Sequence, residues 1–317
     1  MILLGLLSCV DAEAPLHPGD TAERVFEVPA GATARGLGPR LVEAGIVPSE
    51  FTWKVFLRQE DGSCLKAGRH LVRGDLSLRA LLDVLCANPI PEDVPFTVVE
   101  GWGIREIDAA LAAKGWIAAG AYAAIAEKKS VNLPFDVTGP TLEGYLYPET
   151  YKVIPSSFSP ATLIERQLAT FSERFLAAHP DGFGGRSLHE VVVVASMLER
   201  EEPRPSNRPL VSGVIWKRYD GGWELGIDAT SRYTLADWND KQAFLKRLKD
   251  PADVYGTRVR KGLPPTAIGN PVAASLEAAA APLASEYWYY LHDGEGNLHP
   301  AVDAVGHEAN RTKYGVR

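Results

Sequence analysis

Cysteine is scarce in this chain. Three residues, Cys9, Cys64 and Cys86, are spread over 317 positions, which excludes a disulfide-dense scaffold and a four-cysteine zinc site. Clustered Lys and Arg are lacking too. The formal net charge is −7 with no basic run, so no nucleic-acid partner is expected, because binding to a phosphate backbone depends on such clusters. No P-loop, dinucleotide fingerprint or Ser-His-Asp motif occurs. His292, Asp293, Glu295, His299 and His307 match no zinc spacing. The run Asp293-Gly294-Glu295-Gly296-Asn297 lacks the bidentate Glu of a calcium loop and reads as a hairpin tip. Neither a metal nor a cofactor is therefore expected. There are no internal repeats and no low-complexity tract.

The composition is that of a globular protein, with 46% hydrophobic, 23% charged and 9% aromatic residues, enough apolar material for a sizeable core. At this length two domains are expected. The N-terminus, Met1-Ile2-Leu3-Leu4-Gly5-Leu6-Leu7-Ser8-Cys9-Val10, is apolar but shorter than the ~20 residues that span a bilayer. It lacks the positive n-region of a signal peptide. Leu6-Leu7-Ser8-Cys9 resembles a bacterial lipobox, whose cysteine would carry lipid; the alternative is part of a longer membrane helix. Both lead to the expectation of an N-terminal anchor and linker over residues 1–21. The expected location is then the bacterial (inner) cell membrane, with the rest of the chain outside the cytoplasm. In such an oxidising compartment Cys64 and Cys86 can pair. Sequence leaves open whether their Cα atoms come close enough.

Residues 22–90 read as a small mixed α/β unit. Val25-Phe26-Glu27-Val28 alternates as a strand. Thr33 is placed to cap a helix through Leu37, Leu41 and Val42, and Ser49 a helix with Phe51, Trp53, Val55 and Phe56. A strand at His70-Leu71-Val72 precedes a helix capped by Asp75, with Leu78, Leu81, Leu82 and Leu85 at helical spacing. Over 91–317 the pattern predicts a strand at 95–101, helices at 104–114, 118–127, 160–177 and 209–219, and a turn-rich end. The expected fold class is α+β: a small α/β subdomain, then a mixed α/β domain.

The most informative segment is Val191-Val192-Val193-Val194-Ala195-Ser196-Met197-Leu198, followed at once by Glu199. Four β-branched valines suit a buried strand, but the strong helix formers over 195–202 favour a helix. Such a run is buried, so the carboxyl after it is tethered to the edge of a core. Burial disfavours the charged form of a carboxyl, and one that stays protonated near neutrality can act as a general acid. The plainer alternative is a solvated helix end shared with Arg200, Glu201 and Glu202.

Several segments resemble the endolytic murein transglycosylases, the YceG-like family. Ala195-Ser196-Met197-Leu198-Glu199-Arg200-Glu201 resembles that family's A-S-[IL]-[IV]-E-[KR]-E. Leu142-Glu143-Gly144-Tyr145-Leu146-Tyr147-Pro148-Glu149-Thr150-Tyr151 resembles L-E-G-[YF]-L-[FW]-P-[DE]-T-Y. Asp228-Ala229-Thr230-Ser231-Arg232-Tyr233 is similar to D-P-T-x-x-Y, and Gly262-Leu263-Pro264-Pro265-Thr266-Ala267-Ile268-Gly269-Asn270-Pro271 to G-L-P-P-x-x-I-x-N-P. Ser275-Leu276-Glu277-Ala278-Ala279 and Tyr287-Trp288-Tyr289-Tyr290 follow in family order. The chain departs from the pattern at Gly226 (a nearby Gln), Ala229 (Pro), Lys217-Arg218-Tyr219 (Asn-Arg-Leu) and Tyr255-Gly256-Thr257-Arg258 (Tyr-Asn-Thr-Tyr).

The resemblance implies a LysM-like subdomain over 22–90 and a YceG-like catalytic domain over 91–317. It implies a lyase that cuts the β-1,4 bond from N-acetylmuramic acid to N-acetylglucosamine within peptidoglycan strands and leaves a 1,6-anhydromuramyl end. One carboxyl suffices, because the sugar's own 6-hydroxyl attacks the anomeric carbon, whereas most glycosidases need two. Glu199 is the expected catalytic residue, first as acid and then as base. Ser196, Asp228, Thr230, Glu149, Tyr151 and Tyr255 are expected to bind substrate; packing, capping or strand-edge roles are the alternatives for each. Penicillin-binding proteins of the cell-wall synthesis machinery are the implied associates, and termination of nascent glycan strands the implied role. Two rival readings remain: a muramidase using Asp228 as a second carboxyl, and a non-catalytic peptidoglycan-binding scaffold.

Overall fold

A two-stranded antiparallel ribbon frames the first part of the chain. The computed structural model describes residues 11–316, which divide into two units, one ending at Val94 and the next beginning at Pro95. In the first, β1 (Glu23–Val28) pairs with β2 (Gly68–Arg73), with Val25 opposite Leu71 and Phe26 opposite His70. Strand alternation turns Phe26, Val28 and Val72 into the core and leaves Val25 and Leu71 outside. Between the strands lie α1 (Gly38–Glu43) and α2 (Glu50–Phe56), and α3 (Leu78–Cys86) follows β2.

Ser49 starts α2 as expected, its Oγ accepting the Thr52 N–H at 3.1 Å. Thr33 accepts the Gly36 N–H, but a 3-10 turn over Arg35–Leu37 delays α1 to Gly38. Ser77, not Asp75, caps α3 by accepting the Ala80 N–H at 3.2 Å; Asp75 pairs with Arg73 instead. The four leucines of α3 are buried. Trp53 is fully buried and donates its indole N–H to the Ala34 carbonyl at 2.7 Å, so it adds apolar area without an orphaned donor. Cys64 and Cys86 form a disulfide with Cα atoms 5.1 Å apart, which links the segment ahead of β2 to the end of α3.

From the strand at the boundary onward, helices dominate. The order is β3 (Val94–Thr97), α4 (Ile104–Ala113), α5 (Ala121–Lys128), β4 (Thr150–Val153), α6 (Pro160–Arg174), α7 (Leu188–Glu201), α8 (Arg208–Asp220), α9 (Asp228–Tyr233), α10 (Lys241–Arg247), α11 (Ala273–Ala280), β5 (Tyr289–His292), β6 (Leu298–Ala301) and α12 (Ala304–Tyr314). β3 pairs with β4 and β5 with β6, each as a two-stranded sheet. The fold is α+β.

The valine run is helical, at the centre of α7. Ser187 Oγ accepts the Glu190 N–H at 3.2 Å, and Glu190 Oε2 accepts the Ser187 N–H at 2.8 Å. This capping box fixes where the helix begins. Every residue from Val191 to Leu198 is buried, and α7 packs against α8 and α11. Burying a valine is worth about 1.5–3 kcal/mol, against a helix-propensity penalty of at most about 0.7 kcal/mol. Packing therefore outweighs the β preference of the run.

The expected membrane-anchored location is corrected here: no helix among the described residues is long and apolar enough to cross a membrane. The lipobox-like segment with Cys9 lies outside the described residues.

Candidate active site

Helix α7 ends in carboxyls that meet different surroundings. Residues two apart on a helix point in nearly opposite directions, since each step turns the chain by about 100°. Glu199 faces inward. Its Oε1 accepts from Arg208 Nη2 at 3.1 Å, the two side chains being 5% and 6% exposed. Its Oε2 accepts the Val272 N–H at 3.1 Å. Arg208 opens α8 and Val272 precedes α11, so this carboxylate ties three helices together. The expected catalytic carboxyl, Glu199, thus has one oxygen in a buried ion pair and the other on a backbone donor.

Glu201 faces the other way. It lines a cavity of about 340 Å³ together with Asp228, Arg258, Arg218, Tyr290 and His292. Burial, then the neighbouring charge of Asp228, push its pKa up to about 7, while a hydrogen bond from the Ala229 backbone N–H and the charges of His292 and Arg258 pull the other way. Its place at the helix C-terminus, the negative end of the dipole, acts in the same direction as burial. Glu201 thus combines a place on a cavity wall with a raised pKa, the environment in which a carboxyl can hold a proton near neutrality.

The groups around it are held firmly. Asp228, in the first turn of α9, accepts from Arg258 Nε. His292 Nε2 lies 2.8 Å from Oε2 of Glu202, a fully buried residue whose Oε1 accepts the Arg204 N–H at 2.8 Å. Arg218 donates to the carbonyls of Trp288 and Leu225, both at 2.7 Å. Burial holds the guanidinium pKa of Arg218 below its ordinary value and pushes the Tyr290 hydroxyl well above its own.

Of the residues expected to bind substrate, Asp228 alone shares this cavity with Glu201. Ser196 is fully buried; its Oγ donates to the Val193 carbonyl at 2.7 Å and accepts the Ile268 N–H at 3.0 Å. Thr230 is fully buried and donates to the Ile227 carbonyl at 2.7 Å. Both hydroxyls are buried and engaged by backbone groups. Tyr255 lines a separate pocket beside Gly262, Pro264 and Pro265. Its ring packs 5.0 Å from that of Tyr233, and its hydroxyl bonds Thr266 at 2.8 Å. Glu149 and Tyr151 lie along another surface depression with Arg166 and Arg174. Tyr151 donates to the Tyr147 carbonyl at 2.7 Å, and Glu149 pairs with Arg174 at 3.5 Å.

The remaining motif residues brace the site. Asn270 Oδ1 accepts the N–H groups of Gly144 and Leu146, each at 2.9 Å, and its Nδ2 donates to the Trp102 carbonyl at 2.7 Å. At Gly269, with φ +150°, an added Cβ would lie 2.2 Å from the Gly101 carbonyl oxygen, so only glycine lets these two segments meet. Glu143 is buried, accepts the Ile104 N–H at the start of α4 and takes a 2.7 Å bond from the Tyr233 hydroxyl. Burial pushes its pKa up to about 7.

Sequence reasoning missed Glu201, Arg258 and His292 as cavity groups. Helical geometry was the available signal for Glu201: it stands two residues beyond Glu199, on the opposite face. Arg258 stood out as a departure from the family pattern. Nothing local marked His292.

The profile of the YceG-like family matches residues 26–313. A protein of Bacillus subtilis named endolytic murein transglycosylase is 23% identical over 306 residues, covering 91% of this chain and 84% of that protein. One of the same name from Streptococcus pneumoniae is 21% identical, covering 99% of this chain and 64% of that protein, so the chain spans slightly less than two thirds of the pneumococcal relative. A crystal structure of a yceG-like protein from Listeria monocytogenes shares the fold, with a TM-score of 0.60 and 21% identity over 91% of this chain and 99% of that one.

Proposed function

The chain belongs to the YceG-like family, and on that premise we propose that it is a peptidoglycan lytic transglycosylase in which Glu201 handles the proton. The observation that carries this reading is the Glu201 carboxyl in a cavity beside Asp228, with its pKa raised to about 7. Two carboxyls whose surroundings differ in this way suit an acid and a charge-bearing partner. The names of the Bacillus and Streptococcus relatives support the substrate class.

In this mechanism Glu201 gives its proton to the glycosidic oxygen as the bond from the anomeric carbon of N-acetylmuramic acid breaks. Asp228, paired with Arg258, places negative charge beside the oxocarbenium-like centre. The sugar's 6-hydroxyl oxygen bonds to the anomeric carbon, and the Glu201 carboxylate takes that hydroxyl's proton. Glu201 ends protonated, the product carries a 1,6-anhydro ring, and no water is consumed. Glu199 positions α7 through Arg208, and Glu202 orients His292.

Mass spectrometry of muropeptides released from purified sacculi tests this. Anhydro ends are expected. Reducing ends would instead identify a muramidase, the reading that the second carboxyl in the cavity favours. No new ends would leave a glycan-binding scaffold. The strand–helix–helix–strand order of the first unit supports a LysM-like module that binds the glycan, and retention of the isolated chain on sacculi is its test. Termination of nascent strands beside penicillin-binding proteins is the cellular role consistent with an endolytic cut.

A further inference from the structure

Trp223 exposes 42% of its surface, an unusual setting for the side chain that buries most apolar area. Its ring centre lies 4.6 Å from that of Trp288, tilted by 30°. It meets Tyr289 edge-on at 6.2 Å. Each backing ring is itself fixed. Lys217 Nζ sits 4.7 Å over Trp288 and is bonded to the Ser285 and Glu286 carbonyls. The Trp288 ring also covers Gly221, where a Cβ would lie 3.2 Å away. Tyr289 is stacked on His307 at 5.2 Å and has the Arg218 guanidinium 5.3 Å from its centre. Tyr289 is also a wall of the cavity that holds Glu201, as are Leu225 and Gly226, just beyond Trp223 in the chain. Tyr289 therefore belongs both to the cavity wall and to the aromatic cluster that ends at the exposed Trp223.

We propose that Trp223, backed by Trp288 and Tyr289, is a saccharide-stacking platform that receives a pyranose ring of the glycan strand next to the cleavage cavity. This inference rests on the transglycosylase reading for its substrate class. A pyranose presents an apolar C–H face that packs flat on an indole, whose π face carries partial negative charge. Indoles already held by neighbours lose little conformational freedom when a ligand docks. The Tyr289 wall shared with the Glu201 cavity selects a sugar of the same strand as the occupant, rather than a second protein. A long strand would then gain affinity that a short fragment does not.

The test uses the full chain carrying Glu201→Gln, so that ligand is not consumed. It is titrated with the hexasaccharide of N-acetylglucosamine and with soluble uncrosslinked glycan strands, followed by tryptophan fluorescence and calorimetry. The platform predicts quenching on binding, a loss of about tenfold in affinity on adding Trp223→Ala, and near-complete retention on adding Trp223→Phe. Thermal melts of both variants separate lost folding from lost binding. Equal affinity in the Trp223→Ala protein, or no binding of either probe by the parent, overturns the platform. Failure of the activity reading looks different: sacculi treated with the wild-type chain would yield no new ends, whatever the titrations show.

Discussion

Glu199 Oε1 and Arg208 Nη2 lie 3.1 Å apart, with both side chains almost completely shielded from water. A buried pair of this kind contributes little net stability, yet removing one member strands the other charge. Glu199→Gln is therefore expected to cost about 3–5 kcal/mol of folding stability, read from urea unfolding. Replacing both partners by Leu and Met is expected to recover much of that loss. A Glu199→Gln protein as stable as the wild type would show that the pair does not form.

The raised pKa of Glu201 fixes a sign for pH dependence. The native state holds this proton up to about pH 7, whereas an ordinary carboxyl releases it near 4.5. Between those values the native state binds more protons than the unfolded state, so stability contributed by this group falls as pH rises, and the cost is full above about pH 7. Glu201→Gln is thus expected to gain melting temperature over the wild type at pH 8 and to lose that advantage near pH 4.5. A difference that does not vary with pH would contradict the assignment. Activity, which needs the protonated form, is expected to decline above about pH 7.

Asn270 satisfies the N–H groups of Gly144 and Leu146 from one oxygen. Asn270→Ala leaves two buried donors without a partner, at about 1–3 kcal/mol each. The expected result is a stability loss of at least about 2 kcal/mol together with lowered activity, because the loop it braces supports α7. A loss under about 0.5 kcal/mol in chemical denaturation would show that the loop stands without it.

The disulfide closes a sequence separation of 22 residues in the first unit. Replacing Cys64 and Cys86 by Ser is expected to cost about 2–4 kcal/mol, confined to that unit and visible as an earlier unfolding transition. Equal unfolding of oxidised and reduced wild-type protein would refute this.

Much of the fold was legible because it follows from local rules. The leucines at 78, 81, 82 and 85 mark a helix face, and Ser49 marks a helix start. The valine run was read correctly as helix from its downstream formers, although the capping box at Ser187 and Glu190 was the sharper signal. Asp75 was mistaken for a cap because Ser77 competes for the same turn. The site was less legible. An apolar run says that a following carboxyl lies at the edge of a core, but not which side of the helix it leaves from. Whether Glu199 or Glu201 meets the cavity depends on where Arg208 and Arg258 arrive from other elements, and neither position is encoded near the run. Ser196 and Thr230 lie in motif segments yet turn their hydroxyls to backbone partners, which spacing alone does not reveal.

Release of anhydromuropeptides from purified sacculi by Glu201→Gln and by Glu199→Gln, compared per mole of folded protein, is the most direct test. The account predicts a loss of at least about a hundredfold for Glu201→Gln, in keeping with removal of a general acid, and substantial release by the folded fraction of Glu199→Gln. Undiminished release by Glu201→Gln, with release abolished in folded Glu199→Gln, would contradict it.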